Sequence, residues 1–217
     1  MGVSKSLGDR NVMRRNILHL CADLGADSRF YQLDDNYNVF RIGIRIGVEN
    51  FIPRAKYHGV IANPKCTEFS TADGFHKIGD LEQGMVMVND CLRIIKQADP
   101  EWWMLENPAK GRLREFLGEP VMKYQPWQYG SPWTKETALW GKFKIPPAIV
   151  LEREDVVLRH GLYIRKRDTM PSLALLHKSA IQHMPEFDWC KESIKCDADL
   201  RSLCSPGFAQ AFKLSNP

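Results

Sequence analysis

Apolar positions along the chain fall into several short unbroken runs and one long helical stripe. Residues 16–21 read Asn-Ile-Leu-His-Leu-Cys, a run of the length and character of a buried strand. The polar turn Ala22-Asp23-Leu24-Gly25-Ala26-Asp27 follows, and a helix is expected to begin within residues 28–33. Residues 37–46 alternate imperfectly and are rich in β-branched side chains, which predicts a second strand. Residues 57–62 predict a third, stopped by Asn63-Pro64. The clearest helix is residues 82–97, where Met85, Val88, Leu92 and Ile95 recur on one face before Asp99-Pro100 ends the pattern. Residues 102–105 form a compact apolar strand ahead of Glu106-Asn107-Pro108. Residues 122–127 and 137–140 are further strand candidates, with a turn at 130–133 between them.

The order strand, helix, strand, helix, strand predicts an α/β domain with a mainly parallel sheet. Such sheets bind ligands beyond the carboxyl ends of their strands. Three of those ends carry polar or reactive side chains here: Asp23, Cys66 and Glu106. From 146 to 199 the periodicity fades, and the stretch reads as loops and short elements laid over the sheet. Residues 205–214 look like a terminal helix. No internal repeat or low-complexity tract interrupts the chain.

Composition narrows the class. With 217 residues, 44% hydrophobic and 26% charged, the chain has enough apolar surface for one globular core. No apolar run is long enough to span a bilayer. Residues 1–15 lack the apolar centre of a secretory signal and are expected to be a flexible N-terminus of a cytoplasmic protein. Thirty basic against 26 acidic residues leave a net charge of +4, a weak pull towards a polyanion. The basic clusters Lys110, Arg112, Arg114 and Arg159, Arg165, Lys166, Arg167 suit either a solvated face or phosphate contacts. The six cysteines form no Cys-x-x-Cys pair, which argues against a thioredoxin-like or zinc-ribbon motif. Cys190 and Cys196 near His183 fit no common zinc spacing, so no metal is expected.

Three residues then carry candidate chemistry. Cys66 follows a predicted strand, in Asn63-Pro64-Lys65-Cys66-Thr67-Glu68-Phe69-Ser70. It is either a buried structural thiol or a nucleophile, whose thiolate a helix start after it and the Lys65 cation would favour. Glu106 is either a cap or an acid whose proton affinity partial burial raises. Asp23 is either an ordinary turn residue or a contact to a nucleotide-like cofactor.

The ordered set resembles the DNA cytosine-5 methyltransferases, especially compact versions of the kind found in phage genomes. Residues 63–70 resemble the Pro-Cys nucleophile loop, and Leu105-Glu106-Asn107 the Glu-Asn motif. Tyr129-Gly130-Ser131-Pro132-Trp133-Thr134-Lys135-Glu136-Thr137 resembles the Tyr-Gly-x-Pro-Gln-x-Arg-x-Arg motif. The likeness covers roughly residues 16–141 and the last dozen. It departs at Lys65, which separates Pro64 from Cys66; at the cofactor turn, reduced to Ala22-Asp23-Leu24-Gly25; and at Thr137, which replaces an arginine. No acid for ribose hydroxyls stands among residues 41–46, and Glu49, the nearest, matches the acid that meets adenine.

The resemblance implies a Rossmann-like class I methyltransferase sheet with helices on both faces. A single domain over 16–217 would carry 142–200 as a reduced substrate-recognition insert and 205–214 as its last helix. It implies catalysis by Cys66 and Glu106 on a cytosine flipped out of DNA. S-adenosylmethionine would lie against Asp23, Leu24, Gly25, Glu49, Asn63 and Pro64. Asn107, Arg112, Lys135 and Thr137 would meet the substrate, and a partner protein could supply sequence recognition. Two other readings stay open. One is a catalytically eroded relative that binds DNA or cofactor. The other is a different C5 modification of cytosine, such as hydroxymethylation, possible on a free nucleotide.

Overall fold

The structure is a computed structural model and describes residues 13–22, 24–43, 46–69, 79–159, 161–162 and 169–217. Most of the N-terminal stretch, Asp23, Ser70 and the basic residues Arg165, Lys166 and Arg167 lie outside them. Among the described residues six strands form one sheet: β1 (Arg15–Leu20), β2 (Tyr37–Ile42), β3 (Gly59–Ala62), β4 (Trp102–Pro108), β5 (Met122–Tyr124) and β6 (Thr137–Lys142). Their order is β2-β1-β3-β4-β6-β5. The first four run parallel, and β6 pairs antiparallel with both β4 and β5. Five α-helices accompany them: α1 (Arg29–Gln32), α2 (Leu81–Ala98), α3 (Arg114–Leu117), α4 (Asp197–Arg201) and α5 (Pro206–Ser215). The fold is a Rossmann-like α/β sheet covered on both faces.

Period-two alternation divides the core into those two faces. Ile17, Ile61, Met104 and Leu139 point to one side, against Tyr31 of α1, Phe208 and Phe212 of α5, and Leu173, Met184 and Phe187 from the segment after β6. Leu18, Leu20, Val60, Ala62, Leu105 and Trp140 point to the other, where α2 lays Val88, Cys91, Ile94 and Ile95 on them. The buried stripe of α2 is thus centred on Cys91 and Ile94, while Met85 and Leu92 lie at its partly buried margin. Asp80 caps α2 by accepting from Gln83 N at 3.0 Å, and Asp99 closes it in the left-handed region at φ 42°.

Several boundaries differ from the sequence expectation. β2 ends at Ile42, and residues 126–129 form a 3₁₀ turn rather than more of β5. β4 continues through Pro108 because β6 pairs with it as far as Pro108↔Thr137, so Glu106 and Asn107 belong to the strand. Thr67 to Phe69 form a turn, so within the described residues no helix begins directly after Cys66. The stretch 142–200 holds short 3₁₀ turns and the start of α4, as its weak periodicity implied. No described helix is long and apolar enough to cross a membrane.

Candidate active site

The same alternation that buries Ile17, Ile61 and Met104 carries His19, Asn63 and Glu106 onto their face, two residues further along each chain segment. β1, with β2 on one side and β3 on the other, is the point where the connections diverge, the place beyond which sheets of this kind bind ligands. A polar chain crosses it. The buried His19 ring joins Ser28 Oγ at 2.8 Å and Asn63 Oδ1 at 2.7 Å. Asn63 Nδ2 donates to Glu106 Oε2 at 3.5 Å, and Lys135 Nζ lies 3.6 Å from Glu106 Oε1. Burial pulls His19 down to about 4, so the ring is neutral at pH 7 and needs one donor and one acceptor partner. With Asn63 presenting its carbonyl oxygen, the proton is assigned to Nε2 and Nδ1 accepts from Ser28.

Cys66 stands half-buried beside this chain. Its loop is fixed from below, where Asn107, alternating to the opposite face, donates through Nδ2 to Pro64 O at 3.1 Å. Burial pushes the Cys66 thiol up, and the Glu106 charge adds to that; Lys135 opposes both, while Lys65, exposed, contributes least. The cation that matters to Cys66 is therefore Lys135 rather than its chain neighbour. For Lys135 itself, desolvation disfavours the charge, yet Glu106 and Asp27 outweigh it and the ammonium is held above its ordinary range. Lys135 Nζ also donates to Leu203 O at 3.4 Å, which ties it to the segment before α5.

The sequence-derived residues do not all meet. Cys66, Glu106, Asn63, Pro64, Asn107 and Lys135 converge. Thr137 is turned inward, where its hydroxyl donates to Lys135 O at 2.9 Å and braces the lysine's loop. Arg112 forms a paired contact with Glu115 at 2.9 and 2.8 Å and lies on the surface beside the cluster. Arg159 is engaged with Glu186 at 2.7 Å. Leu24 packs partly buried on the core, and Gly25 adopts φ 79°, a conformation that favours glycine. The Arg41 guanidinium covers that glycine: a Cβ there would fall 2.8 Å from Arg41 Cζ. Arg41 also donates to Ala22 O at 3.1 Å. Glu49 stands exposed beyond β2 with its carboxylate folded against Gly47. Asp23 lies outside the described residues.

Other members of the cluster escaped the sequence reading. Asp27, Ser28, Tyr124 and Cys204 are all buried at this site. One signal was present, His19 as a polar break in an otherwise apolar strand. Among the described residues no group of three or more His, Cys, Asp or Glu converges as a metal site.

Fold and site define an α/β protein with a thiol, a carboxylate and an ammonium gathered at its strand ends. No family model and no curated protein matches the chain. Among solved structures it is similar to a prophage-encoded E. coli protein described as a DNA modification methyltransferase. The identity is 14%, the TM-score 0.48, and the match covers 70% of this chain and 56% of the other. It is also similar to the S. pombe Dnmt2 methyltransferase, at 14% identity and TM-score 0.38, over 71% of this chain and 62% of that one. The chain thus spans less than two thirds of either structure.

Proposed function

We propose that the chain transfers a methyl group to C5 of cytosine in DNA through a covalent bond between Cys66 Sγ and C6 of the base. The observation supporting this reading is the meeting of Cys66, Glu106 and Lys135 at adjoining strand ends, with Asn107 bracing the Cys66 loop. C5 of cytosine is a poor nucleophile. Addition of the Cys66 thiolate to C6 makes C5 enamine-like, with Glu106 holding a proton at N3 to offset the developing charge. When bound, S-adenosylmethionine supplies the methyl group. Loss of the C5 proton then lets the Sγ–C6 bond break and returns Cys66 as a thiolate. The base must leave the duplex stack to reach such a site. Lys135 keeps Glu106 aligned and meets the base or its sugar-phosphate.

The turn Ala22 to Gly25 suits the methyl donor. Gly25 would present no side chain to it, and Asn63 and Pro64, past the end of β3, would lie against it. Leu24 and Glu49 would flank it, with Asp23 from the same turn. The stretch 142–200 acts as a reduced recognition insert, so sequence preference is loose or comes from a partner.

The test is DNA carrying 5-fluorocytosine, where fluorine stands in place of the C5 proton and cannot be abstracted, so the Sγ–C6 bond persists. With S-adenosylmethionine present, wild-type protein should form a covalent adduct that survives denaturation, and Cys66→Ser should form none. Nucleosides from co-expressed DNA should gain 5-methylcytosine. Equal methylation by Cys66→Ser sinks the mechanism. A second reading, an eroded relative that still binds DNA but no longer the methyl donor, draws on the Arg41 guanidinium over Gly25. Calorimetry separates the two, since that reading predicts no heat with millimolar cofactor.

A further inference from the structure

Cys21 and Cys91 take no part in the proposed reaction, yet their sulfurs lie 3.8 Å apart across 70 residues of chain. Cys21 is the residue after β1. Strand alternation would carry it to the face of Ile17 and His19. Its backbone instead turns left-handed, at φ 57°, and it packs with Leu18 and Leu20 on the opposite face, against α2. Residues other than glycine rarely hold that conformation, and Asp99 is the only other one among the described residues that does. The strained backbone thus sets a partly exposed thiol against a buried one, since Cys91 in the middle of α2 is enclosed. The hydrogen bond to Cys21 first, then burial, push the Cys91 thiol far up, so Cys91 keeps its proton and offers it to Cys21. The chain runs straight from Cys21 into the turn that ends at Gly25. There Ala22 N donates to Ile42 O at 3.1 Å, and Ala22 O accepts from Arg41 at 3.1 Å.

We propose that Cys21 and Cys91 are a modification site, a dithiol that hydrogen peroxide closes to a disulfide, tying the end of β1 to α2 and displacing the turn Ala22 to Gly25. The bond needs the two sulfurs about 1.8 Å closer than they stand. Cys91 is held in the hydrogen-bonded interior of α2, whereas Cys21 lies past the last residue of β1, so Cys21 is the side that moves and Ala22 moves with it. The partly exposed Cys21 reacts first. Its thiolate sulfur takes one peroxide oxygen, the O–O bond breaks, and the departing hydroxide collects the proton that Cys21 released and leaves as water. Cys91 Sγ then attacks Cys21 Sγ. The S–O bond breaks, and the oxygen leaves with the Cys91 proton as a second water. Two thiols lose two electrons, and one peroxide becomes two waters. Another thiol reverses the bond by exchange. Where that turn seats the methyl donor, which rests on the reading given above, the oxidised chain loses its donor.

The test is mild oxidation of the full chain with hydrogen peroxide, capping of the remaining thiols with N-ethylmaleimide, and mass spectrometry of the unreduced peptides. A peptide joining Cys21 to Cys91 should exceed every other cysteine pair by about tenfold, because only this pair has a resolving thiol in place. Dithiothreitol should remove it. In Cys91→Ala, Cys21 should persist as a sulfenic acid that dimedone traps. In Cys21→Ser, Cys91 should stay unmodified. The wild-type peptide map needs no substitution and decides the matter should either variant fail to fold. Calorimetry with S-adenosylmethionine then reads the turn, in a Cys66→Ser background so that oxidation of Cys66 plays no part. The oxidised chain should bind about tenfold more weakly and recover with dithiothreitol. No Cys21–Cys91 peptide, or oxidation of Cys91 in Cys21→Ser as fast as in wild type, overturns the proposal. A disulfide that forms and leaves binding unchanged overturns the displacement of the turn. A reduced chain that binds no donor would sink the proposed function instead, and the peptide map would still judge the dithiol.

Discussion

Cys66 rests as a thiol. Burial and the Glu106 charge hold its proton on, and Lys135 is the foremost group pulling the other way. Removing that cation is expected to push the thiol further up. In Lys135→Gln, alkylation of Cys66 at pH 8 should slow several-fold, because each unit of pKa is tenfold in thiolate wherever the thiol predominates. Lys65→Gln should change the rate little, since Lys65 is exposed and acts last among the groups that influence Cys66. Equal slowing in both variants would refute the assignment of Lys135 as the activating cation. Lys135→Gln also leaves the Glu106 carboxylate without its ion-pair partner. Its stability loss should stay below the roughly 3–5 kcal/mol of a fully buried pair, as the Lys135 and Glu106 side chains keep 21% and 13% exposure. The reactive residues were legible in the sequence because each sits where an apolar run stops. Asp27 and Cys204 were not, since a polar residue in a turn reads the same whether it faces water or is folded under its neighbours.

At the scale of elements, Asn107 makes β4 a strut for the nucleophile loop. Asn107→Ala deletes the donor to Pro64 O and should cost about 1–3 kcal/mol for the stranded carbonyl. Asp80→Ala deletes the cap of α2 and should cost about 1 kcal/mol. Both variants lose stability, but only Asn107→Ala should slow adduct formation on 5-fluorocytosine DNA, because the Asn107 side chain holds Pro64 beside Cys66, whereas Asp80 reaches that loop at Glu68 through its backbone N–H, which the substitution keeps. Equal slowing would mean that the site answers to global stability rather than to that strut. Residues 16–21, 57–62 and 82–97 were well marked by their periodicity, and the strands and helix lie there within a few residues. The extension of β4 to Pro108 was not legible, since it depends on a ladder with β6 some thirty residues away. α3 has four residues, too short for a helical period to show, and the 3₁₀ turns over 142–200 are shorter than any hydrophobic repeat. The close seat of α5 is another tertiary feature: a Cβ on Gly207 would strike the Tyr129 carbonyl, a contact no local pattern announces.

Over the whole molecule, two buried groups couple stability to pH with opposite signs. His19 falls from 6.5 to about 4 on folding through burial, so the unfolded chain takes its proton first as pH drops. Its contribution is complete above 6.5 and is lost as pH falls towards 4. Asp27 rises from 3.8 to about 6, so the folded chain holds the proton that the unfolded chain has released. Its contribution is complete below 3.8 and is lost as pH rises through 6. Each swing is worth about 3 kcal/mol to order of magnitude. Between about pH 4 and 6 the two nearly cancel, and wild type should show little slope from this pair. Asp27→Asn removes one side of the balance. Relative to wild type, its stability in urea should therefore rise across that interval by about 3 kcal/mol, and other titrating groups drop out of the difference where they act independently. A difference that stays flat from pH 4 to 6 would mean that Asp27 is solvated in the folded protein.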